Sequence, residues 1–256
     1  WSQILAGCRE EGRAALIGYL PVGYPTVPES IAAMEALIEG GIDIVEVGVP
    51  YSDPLMDGPL IQRATERALD QGCQVDDVFT AVRAVADAGS TAYVMTYWNL
   101  VLRRGVERFA ADLAGAGGSG LITPDLIPDE AGEWIEASDR HGLDRVFLIA
   151  PSSTRERLTV ATAACRGFVY AASTMGVTGT RDSVGSAAAQ VVEHAREVTD
   201  LPLCVGLGVS TRAQAAEVAG YADGVIVGSA LVRALGEGGP AAVRALTAEL
   251  AAGVRE

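Results

Sequence analysis

The 256-residue sequence contains no lysine, because all 19 of its basic residues are arginine. Enzymes that form an imine with a carbonyl substrate, or that attach pyridoxal phosphate, use a lysine amine to do so. The absence therefore excludes an imine-forming aldolase and a pyridoxal phosphate site on this chain.

Histidine and cysteine are also scarce, and they are far apart: His141, His194, Cys8, Cys73, Cys165 and Cys204. No pair has the Cys-x-x-Cys spacing of a structural metal site, so no metal site is predicted. Both histidines lie in helical segments and are read as surface residues. Isolated cysteines are typical of a reducing compartment, which predicts a cytoplasmic location.

The chain carries a formal net charge of −14. This charge argues against nucleic acid and anionic membranes as partners. Any phosphate ligand must then be held by local groups and not by the overall field. No apolar run approaches the ~20 residues that a membrane helix needs. Residues 1–13 have mixed charge, so no signal peptide is expected there.

Short apolar runs alternate with longer segments of helical periodicity. The predicted strands are Ala15–Tyr19, Asp43–Val47, Ala92–Thr96, Gly120–Thr123, Arg145–Ile149, Phe168–Ala171, Leu203–Gly206 and Gly224–Val227. Eight such units predict a single-domain (β/α)8 TIM barrel with a parallel eight-stranded core over residues 1–256. A doubly wound open sheet is the alternative, weakened by the count and by the lack of Gly-x-Gly-x-x-Gly after the first strand.

Two carboxylates in one stretch are the strongest candidates for catalysis. Glu46 interrupts the apolar second strand, and Asp57 follows in a loop rich in proline. Burying an unpaired charge is costly, so Glu46 needs a reason to be there. Two carboxylates facing one pocket can act as acid and base. The alternatives are a satisfied buried carboxylate at Glu46 and ordinary turn chemistry at the Asp57-Gly58 pair.

Glycine-rich turns follow the last two predicted strands, at Gly206-Leu207-Gly208 and at Gly228-Ser229. Backbone N–H groups approach an anion closely at such turns, and a helix N-terminus adds a favourable dipole. Together with Gly179 they predict a phosphate site, although each turn alone is also compatible with a simple tight turn. The aromatic residues Tyr97, Trp98 and Tyr170 belong either to the core or to a slot for a flat aromatic substrate.

Several segments together resemble the tryptophan synthase alpha subunit family. The longest is Val45-Glu-Val-Gly-Val-Pro-Tyr-Ser-Asp-Pro-Leu-Met-Asp-Gly-Pro59. The others are Gly18–Pro25, Met95–Asn99, Leu121–Leu126, Ser173–Gly179, Gly206–Ser210 and Val227–Ala230. The resemblance covers nearly the whole chain. It implies a lyase that cleaves indole-3-glycerol phosphate to indole and glyceraldehyde 3-phosphate in tryptophan biosynthesis.

The resemblance also implies roles for individual residues. Asp57 takes the indole N–H proton, and Glu46 protonates the indole carbon and then accepts the hydroxyl proton. The implied indole-pocket residues are Tyr19, Met95, Tyr97, Ile122, Tyr170, Thr178, Leu207 and Ile226. Tyr170 helps to position Glu46, and Thr178 caps Asp57 when the sixth loop closes. The phosphate is held by Gly179, Gly208, Gly228 and Ser229.

The family implies a beta subunit as partner, in an alpha2beta2 hetero-tetramer, with pyridoxal phosphate on the beta subunit only. Two departures from the family pattern are Ile127, which precedes Pro128 in the fourth loop, and Thr174, where some members have a basic residue. Three other hypotheses stay open: a stand-alone indole-3-glycerol phosphate lyase, a barrel isomerase of a sugar phosphate, and an inactive binding subunit.

Overall fold

A computed structural model describes residues 3–172, 186–206 and 208–256. The strands are β1 (Ala15–Pro21), β2 (Ile44–Gly48), β3 (Thr91–Met95), β4 (Gly120–Ile122), β5 (Asp144–Val146), β6 (Leu148–Ile149), β7 (Val169–Ala172), β8 (Leu203–Gly206) and β9 (Gly224–Val227). The helices are α1 (Gln3–Glu10), α2 (Val27–Glu39), α3 (Pro59–Asp70), α4 (Val75–Asp87), α5 (Trp98–Arg104), α6 (Val106–Gly115), α7 (Gly132–His141), α8 (Arg155–Ala164), α9 (Ser186–Arg196), α10 (Arg212–Ala219) and α11 (Ser229–Gly253). A 3-10 turn, Pro128–Glu130, precedes α7.

The strands pair in parallel in the order β5-β4-β3-β2-β1-β9-β8-β7-β6. The two end strands, β5 and β6, are separated only by Phe147. The Phe147 carbonyl accepts a hydrogen bond from Tyr170 N–H at 3.2 Å, so the sheet closes on itself. The predicted (β/α)8 barrel is confirmed, and the open doubly wound sheet is excluded.

The predicted fifth strand is one element in sequence but two in the structure. Its interruption falls at Phe147, whose N–H donates to the Cys165 Sγ at 3.4 Å and not to a neighbouring strand. Arg145, earlier in the same segment, forms an antiparallel bridge with Arg166. The strand therefore bends at Phe147 and serves two neighbours, which gives nine assigned strands where eight were predicted.

Alternate strand residues point to two different cores. Residues such as Leu16 and Val45 point outward and pack beneath the helices. A second cluster fills the barrel interior: Ala15, Ile17, Ile44, Tyr93, Ile122, Val146, Phe168, Cys204 and Ile226. Leu5 and Cys8 of α1 pack against this interior cluster, so α1 covers the N-terminal end of the barrel.

Three aspartates at strand starts tie the N-terminal end of the barrel together. Asp43, directly before β2, accepts two hydrogen bonds of 2.9 Å from the Arg13 guanidinium and one of 2.8 Å from Leu16 N–H. Asp144 and Asp223 are also paired with arginines. Their partners are Tyr93 and Arg166 for Asp144, and Arg9, Arg196 and Leu203 N–H for Asp223. These ion pairs fix the register of the chain at the end away from the predicted site.

Candidate active site

Glu46 lies in the middle of β2 with its side chain directed into the barrel. It pairs in register with Tyr19 of β1 and Tyr93 of β3. The residue is 1% exposed, and its Oε2 atom has no hydrogen-bond partner among the described residues. Burial, with a further contribution from the nearby Asp57 carboxyl, raises the pKa of Glu46 from 4.5 to about 8. Glu46 is therefore a carboxylic acid that can hold its proton near neutral pH.

Asp57 lies in the loop between β2 and α3. The Tyr97 hydroxyl donates to its Oδ1 at 3.1 Å, and the Gln62 side chain donates to its backbone carbonyl at 2.9 Å. Burial raises the pKa of Asp57, and the hydrogen bond from Tyr97 opposes that rise. Asp57 in turn contributes to the raised pKa of Glu46, so the two carboxyls lie close enough to interact electrostatically.

Tyr19 and Tyr170 line the same region of the interior. Burial, together with the carboxyls of Asp57 and Glu46, holds the pKa of the Tyr19 hydroxyl well above its ordinary value. Burial and the same two carboxyls act in the same direction on the pKa of Tyr170. Both phenol groups therefore stay protonated beside the carboxyl pair and can donate hydrogen bonds.

Two glycines make room for these tyrosines, and the sequence reasoning did not assign them this role. A Cβ atom at Gly48 would lie 2.5 Å from the Tyr19 hydroxyl oxygen. A Cβ atom at Gly206 would overlap the Tyr170 hydroxyl in the same way. Both glycines are the last residues of their strands, and a glycine in a strand is itself a signal of close approach. The sequence therefore indicates that some group approaches these two glycines closely, but only the structure shows that the groups are the Tyr19 and Tyr170 side chains.

The remaining predicted pocket residues divide into three groups. Ile122 and Ile226 are buried in the interior cluster, and Met95 packs against it. Tyr97 lies against Asp57 and the loop backbone. Thr178 and Leu207, together with Gly179 of the predicted phosphate site and Thr174, lie outside the described residues.

The two predicted phosphate turns differ in how the following helix begins. Gly208 has a positive φ of 69°, and the chain then reaches α10, whose first turn is capped by the Thr211 side chain. Gly228 is the N-cap of α11 and provides no side-chain cap. Leu231 N–H donates to the Gly228 carbonyl at 2.9 Å, and the N–H groups of the two earlier residues, Ser229 and Ala230, receive no side-chain cap from Gly228. Ser229 is buried.

The α11 turn borders the carboxyl pocket. A Cβ atom at Gly228 would lie 3.5 Å from the Tyr19 ring, which in turn contacts Gly48 at the end of β2. Tyr19 therefore connects the N-terminus of α11 to the carboxyl pair. A ligand with an anionic end and a flat apolar end fits this layout.

Within the described ranges no group of three or more histidine, cysteine or acidic residues could hold a metal ion. His141 contacts Glu107 at 2.8 Å, and His194 is exposed on α9. In the same ranges no helix combines the length and apolarity needed to cross a membrane.

Apolar side chains are exposed on the segments that follow β2, β3 and β4. Leu55 is 74% exposed, Leu102 is 51% exposed and Ile127 is 44% exposed. Since the C-terminal ends of parallel strands meet at one end of a barrel, these residues lie on segments that leave the barrel at the same end. Exposed apolar residues of this kind mark a surface that another protein can cover.

Comparisons with known proteins identify the family of the chain. The family model described as "Tryptophan synthase alpha chain" matches residues 5–254. A tryptophan synthase alpha chain of Mycolicibacterium paratuberculosis is 67% identical over 255 residues, which are 100% of this chain and 94% of the relative.

Solved structures give the same result. A tryptophan synthase structure from Mycobacterium tuberculosis superposes with a TM-score of 0.97 at 64% identity, covering 100% of this chain and 98% of that chain. The tryptophan synthase A-subunit of Pyrococcus furiosus superposes with a TM-score of 0.85 at 33% identity, covering 93% of this chain and 96% of that chain. The chain belongs to the tryptophan synthase alpha chain family, whose members are lyases that cleave indole-3-glycerol phosphate to indole and glyceraldehyde 3-phosphate.

Proposed function

We propose that Glu46 and Asp57 are the catalytic pair of this lyase, acting on the carbon–carbon bond of indole-3-glycerol phosphate. The observation that supports this most directly is Glu46 itself. It is buried, its Oε2 has no partner among the described residues, and its pKa of about 8 lets it carry a proton to the substrate. An unsatisfied buried carboxyl needs an explanation, and a substrate hydroxyl provides one.

In the proposed reaction, each proton that a carboxyl group gives up or accepts is returned by the end of the cycle. Asp57 accepts the proton of the indole N–H while Glu46 gives its proton to the indole carbon that carries the side chain. Glu46, now a carboxylate, accepts the proton of the adjacent hydroxyl as the carbon–carbon bond breaks. The bonding electrons return to the ring, and Asp57 gives its proton back to the ring nitrogen. The protonated indole ring is the electron sink, so no lysine is required.

The phosphate of the substrate is assigned to the N-terminus of α11, at Gly228 and Ser229, with Gly208 on the neighbouring turn. The open first turn of α11 supports this assignment because its N–H groups and its dipole both favour an anion. We include Gly179 in the same site on family grounds. A net charge of −14 makes such a local site necessary, since the global field repels the phosphate.

The indole ring is assigned to the apolar interior beside the carboxyl pair. Tyr19, Met95, Ile122 and Ile226 supply its described walls, and Leu207 is included on family grounds. Tyr170 is proposed as the neighbour that orients Glu46, and the contribution of the Glu46 carboxyl to the raised pKa of Tyr170 supports their proximity. Thr178 is proposed to cap Asp57 when the sixth loop closes and excludes water.

A pyridoxal-dependent beta subunit is the proposed partner, in an alpha2beta2 assembly, with no cofactor on this chain. The structural relatives are named as tryptophan synthase, and the exposed Leu55, Leu102 and Ile127 supply an apolar surface for a partner. The alternative is a stand-alone lyase that releases free indole. In its favour, the described carboxyls and α11 turn all belong to one chain.

We further propose that residues 1–256 form one domain located in the cytoplasm. Support for one domain comes from α1 and α11, which pack against the same barrel from the two ends of the sequence. Support for a reducing compartment comes from the four cysteines, which are free and buried.

The test is a direct assay of indole release from indole-3-glycerol phosphate. We expect cleavage by the purified chain, and faster cleavage with a beta subunit. Glu46→Gln and Asp57→Asn should each lower turnover by about 100- to 10,000-fold, the range for loss of a general acid or base. Circular dichroism should show an intact barrel in both variants. Near wild-type turnover in either variant contradicts the role given to that residue.

A further inference from the structure

The Tyr97 hydroxyl is held by three polar contacts with the catalytic loop. It lies 3.1 Å from Asp57 Oδ1, 3.1 Å from the backbone nitrogen of Leu55 and 3.0 Å from that of Met56. The residue is only 5% exposed, so water does not compete freely for these contacts. Family resemblance placed Tyr97 in the indole pocket, but these contacts point to a different task.

The direction of each hydrogen bond follows from counting protons. A phenol has one O–H donor and two acceptor lone pairs. The N–H groups of Leu55 and Met56 can only donate, so they use the lone pairs of Tyr97. The single hydroxyl proton must then go to Asp57 Oδ1. Asp57 Oδ1 is thereby fixed as an acceptor, and Oδ2 is the oxygen left to take a proton from a substrate.

The backbone next to Tyr97 is anchored to a neighbouring strand end of the barrel. Tyr97 directly precedes α5, and the N–H of the next residue, Trp98, donates to the Asp125 carboxylate at 2.9 Å. The Tyr97 ring also packs against the ring of Tyr51, which lies in the same β2–α3 loop as Asp57, with centroids 5.2 Å apart. The loop backbone at 55–57 is thus tied to a fixed point on the barrel.

We propose that Tyr97 is a positioning residue that assigns the two oxygens of Asp57 their roles, keeping Oδ1 as a permanent acceptor and presenting Oδ2 to the indole nitrogen. This inference rests on the proposed role of Asp57 as the base. Electrostatics agree with it, because the Tyr97 hydrogen bond lowers the pKa of a carboxyl that burial raises. Without the hydroxyl, Asp57 holds a proton to higher pH and loses its fixed orientation.

The experiment compares wild type, Tyr97→Phe and Tyr51→Phe. Tyr97→Phe keeps the ring but removes the hydroxyl. Tyr51→Phe makes the same change on the adjacent ring, where the hydroxyl contacts only the exposed Asn99 among the described side chains, at 3.3 Å. Turnover and KM are measured from pH 5 to pH 9. The Asp57 carboxyl is titrated separately by carbon NMR without substrate, which gives a readout independent of catalysis.

We expect Tyr97→Phe to move both the NMR midpoint of Asp57 and the acid limb of the turnover profile to higher pH, because the hydrogen bond that lowers the Asp57 pKa is lost. Turnover at neutral pH should fall by about 10- to 100-fold with little change in KM, because orientation is lost but binding is kept. Tyr51→Phe should stay within about twofold of wild type in the same assays.

Two outcomes separate this inference from the proposed function. If Asp57→Asn is inactive but Tyr97→Phe leaves the NMR midpoint and the acid limb unchanged, the positioning role is overturned and the catalytic pair stands. If Asp57→Asn is active, the proposed function itself fails. Should Tyr97→Phe not fold, site-specific 3-fluorotyrosine at position 97 replaces it. That more acidic phenol should move both values downward, and the absence of a downward shift overturns the inference.

Discussion

The two ends of the barrel interior hold carboxylates in opposite surroundings. At the N-terminal end Asp43 faces the Arg13 guanidinium, and its oxygens are satisfied by side-chain and backbone donors. At the C-terminal end Glu46 has an oxygen without a partner among the described residues, and its strongest charged neighbour is another carboxyl, Asp57. Glu46 follows Asp43 by only three residues in the sequence.

The difference shows that burial alone does not identify a catalytic carboxylate in this fold. The side chains of Asp43 and Glu46 are both largely removed from water. What distinguishes them is whether the protein supplies the countercharge. Arginine does so for Asp43, and no described residue does so for Glu46, whose proposed partner is a substrate hydroxyl. The first arrangement stabilises the barrel, and the second is expected to cost stability in exchange for reactivity.

The largest effect that tests this contrast concerns the pH dependence of stability. The pKa of Glu46 is raised from 4.5 to about 8 on folding, so the folded state binds the extra proton. Its contribution to stability is therefore full below pH 4.5 and is lost as pH rises through about 8, at about 1.4 kcal/mol per pH unit. Glu46→Gln should remove this loss. We expect the variant to be more stable than wild type above pH 8 by a few kcal/mol.

Urea unfolding at pH 5, 7 and 9 measures this directly. Asp53→Asn, in the following loop, changes the same net charge at an exposed position and serves as the control. Parallel stability profiles for wild type and Glu46→Gln mean that Glu46 is satisfied in the folded state, which contradicts the contrast.

The second effect concerns the stability of the N-terminal end of the barrel, where removing a carboxylate should destabilise the fold. Asp43→Asn should lower the free energy of unfolding by about 1.5–3 kcal/mol, because it weakens charge-assisted hydrogen bonds to Arg13 and Leu16. Turnover of the folded fraction should stay within about twofold of wild type. Glu39→Gln, which breaks an exposed pair with Arg244, is the control and should be nearly neutral. A loss of turnover larger than the loss of folded protein would show that the two ends are not independent.

The smallest effect concerns the α11 turn. Gly228→Ala places a methyl group 3.5 Å from the Tyr19 ring, an ordinary contact, so folding should be preserved. The methyl group still crowds the N–H groups assigned to phosphate. We expect KM for indole-3-glycerol phosphate to rise about 3- to 10-fold, with turnover nearly unchanged. Gly7→Ala, where a Cβ meets nothing within 4 Å, is the matched control. An unchanged KM would remove Gly228 from the phosphate site.

The barrel and the carboxyl pair could be predicted from the sequence for physical reasons. Parallel strands that are buried on both faces have continuous apolar sequences, and Glu46 is conspicuous because it interrupts one of them. The bend at Phe147 was not accessible, because it depends on the contact of its N–H with Cys165, 18 residues away. A local pattern contains no information about such a partner.

The contacts of the Tyr97 hydroxyl could not be predicted for the same reason. The sequence places an aromatic residue at the end of β3, and only the fold brings its hydroxyl to a loop about 40 residues earlier. The difference between the two glycine turns was partly visible. Thr211 before α10 is a recognisable capping residue, while nothing comparable precedes α11.

The position of α1 has a consequence for the traffic of small molecules. Its Leu5 and Cys8 pack against the filled interior at one end, so the carboxyl pair is approached from the other end, where the strands finish. A substrate that enters at the C-terminal strand ends leaves, as products, at the same end. Both products of cleavage therefore leave at that end. A subunit bound to the exposed Leu55, Leu102 and Ile127 would bind close to the route by which they leave.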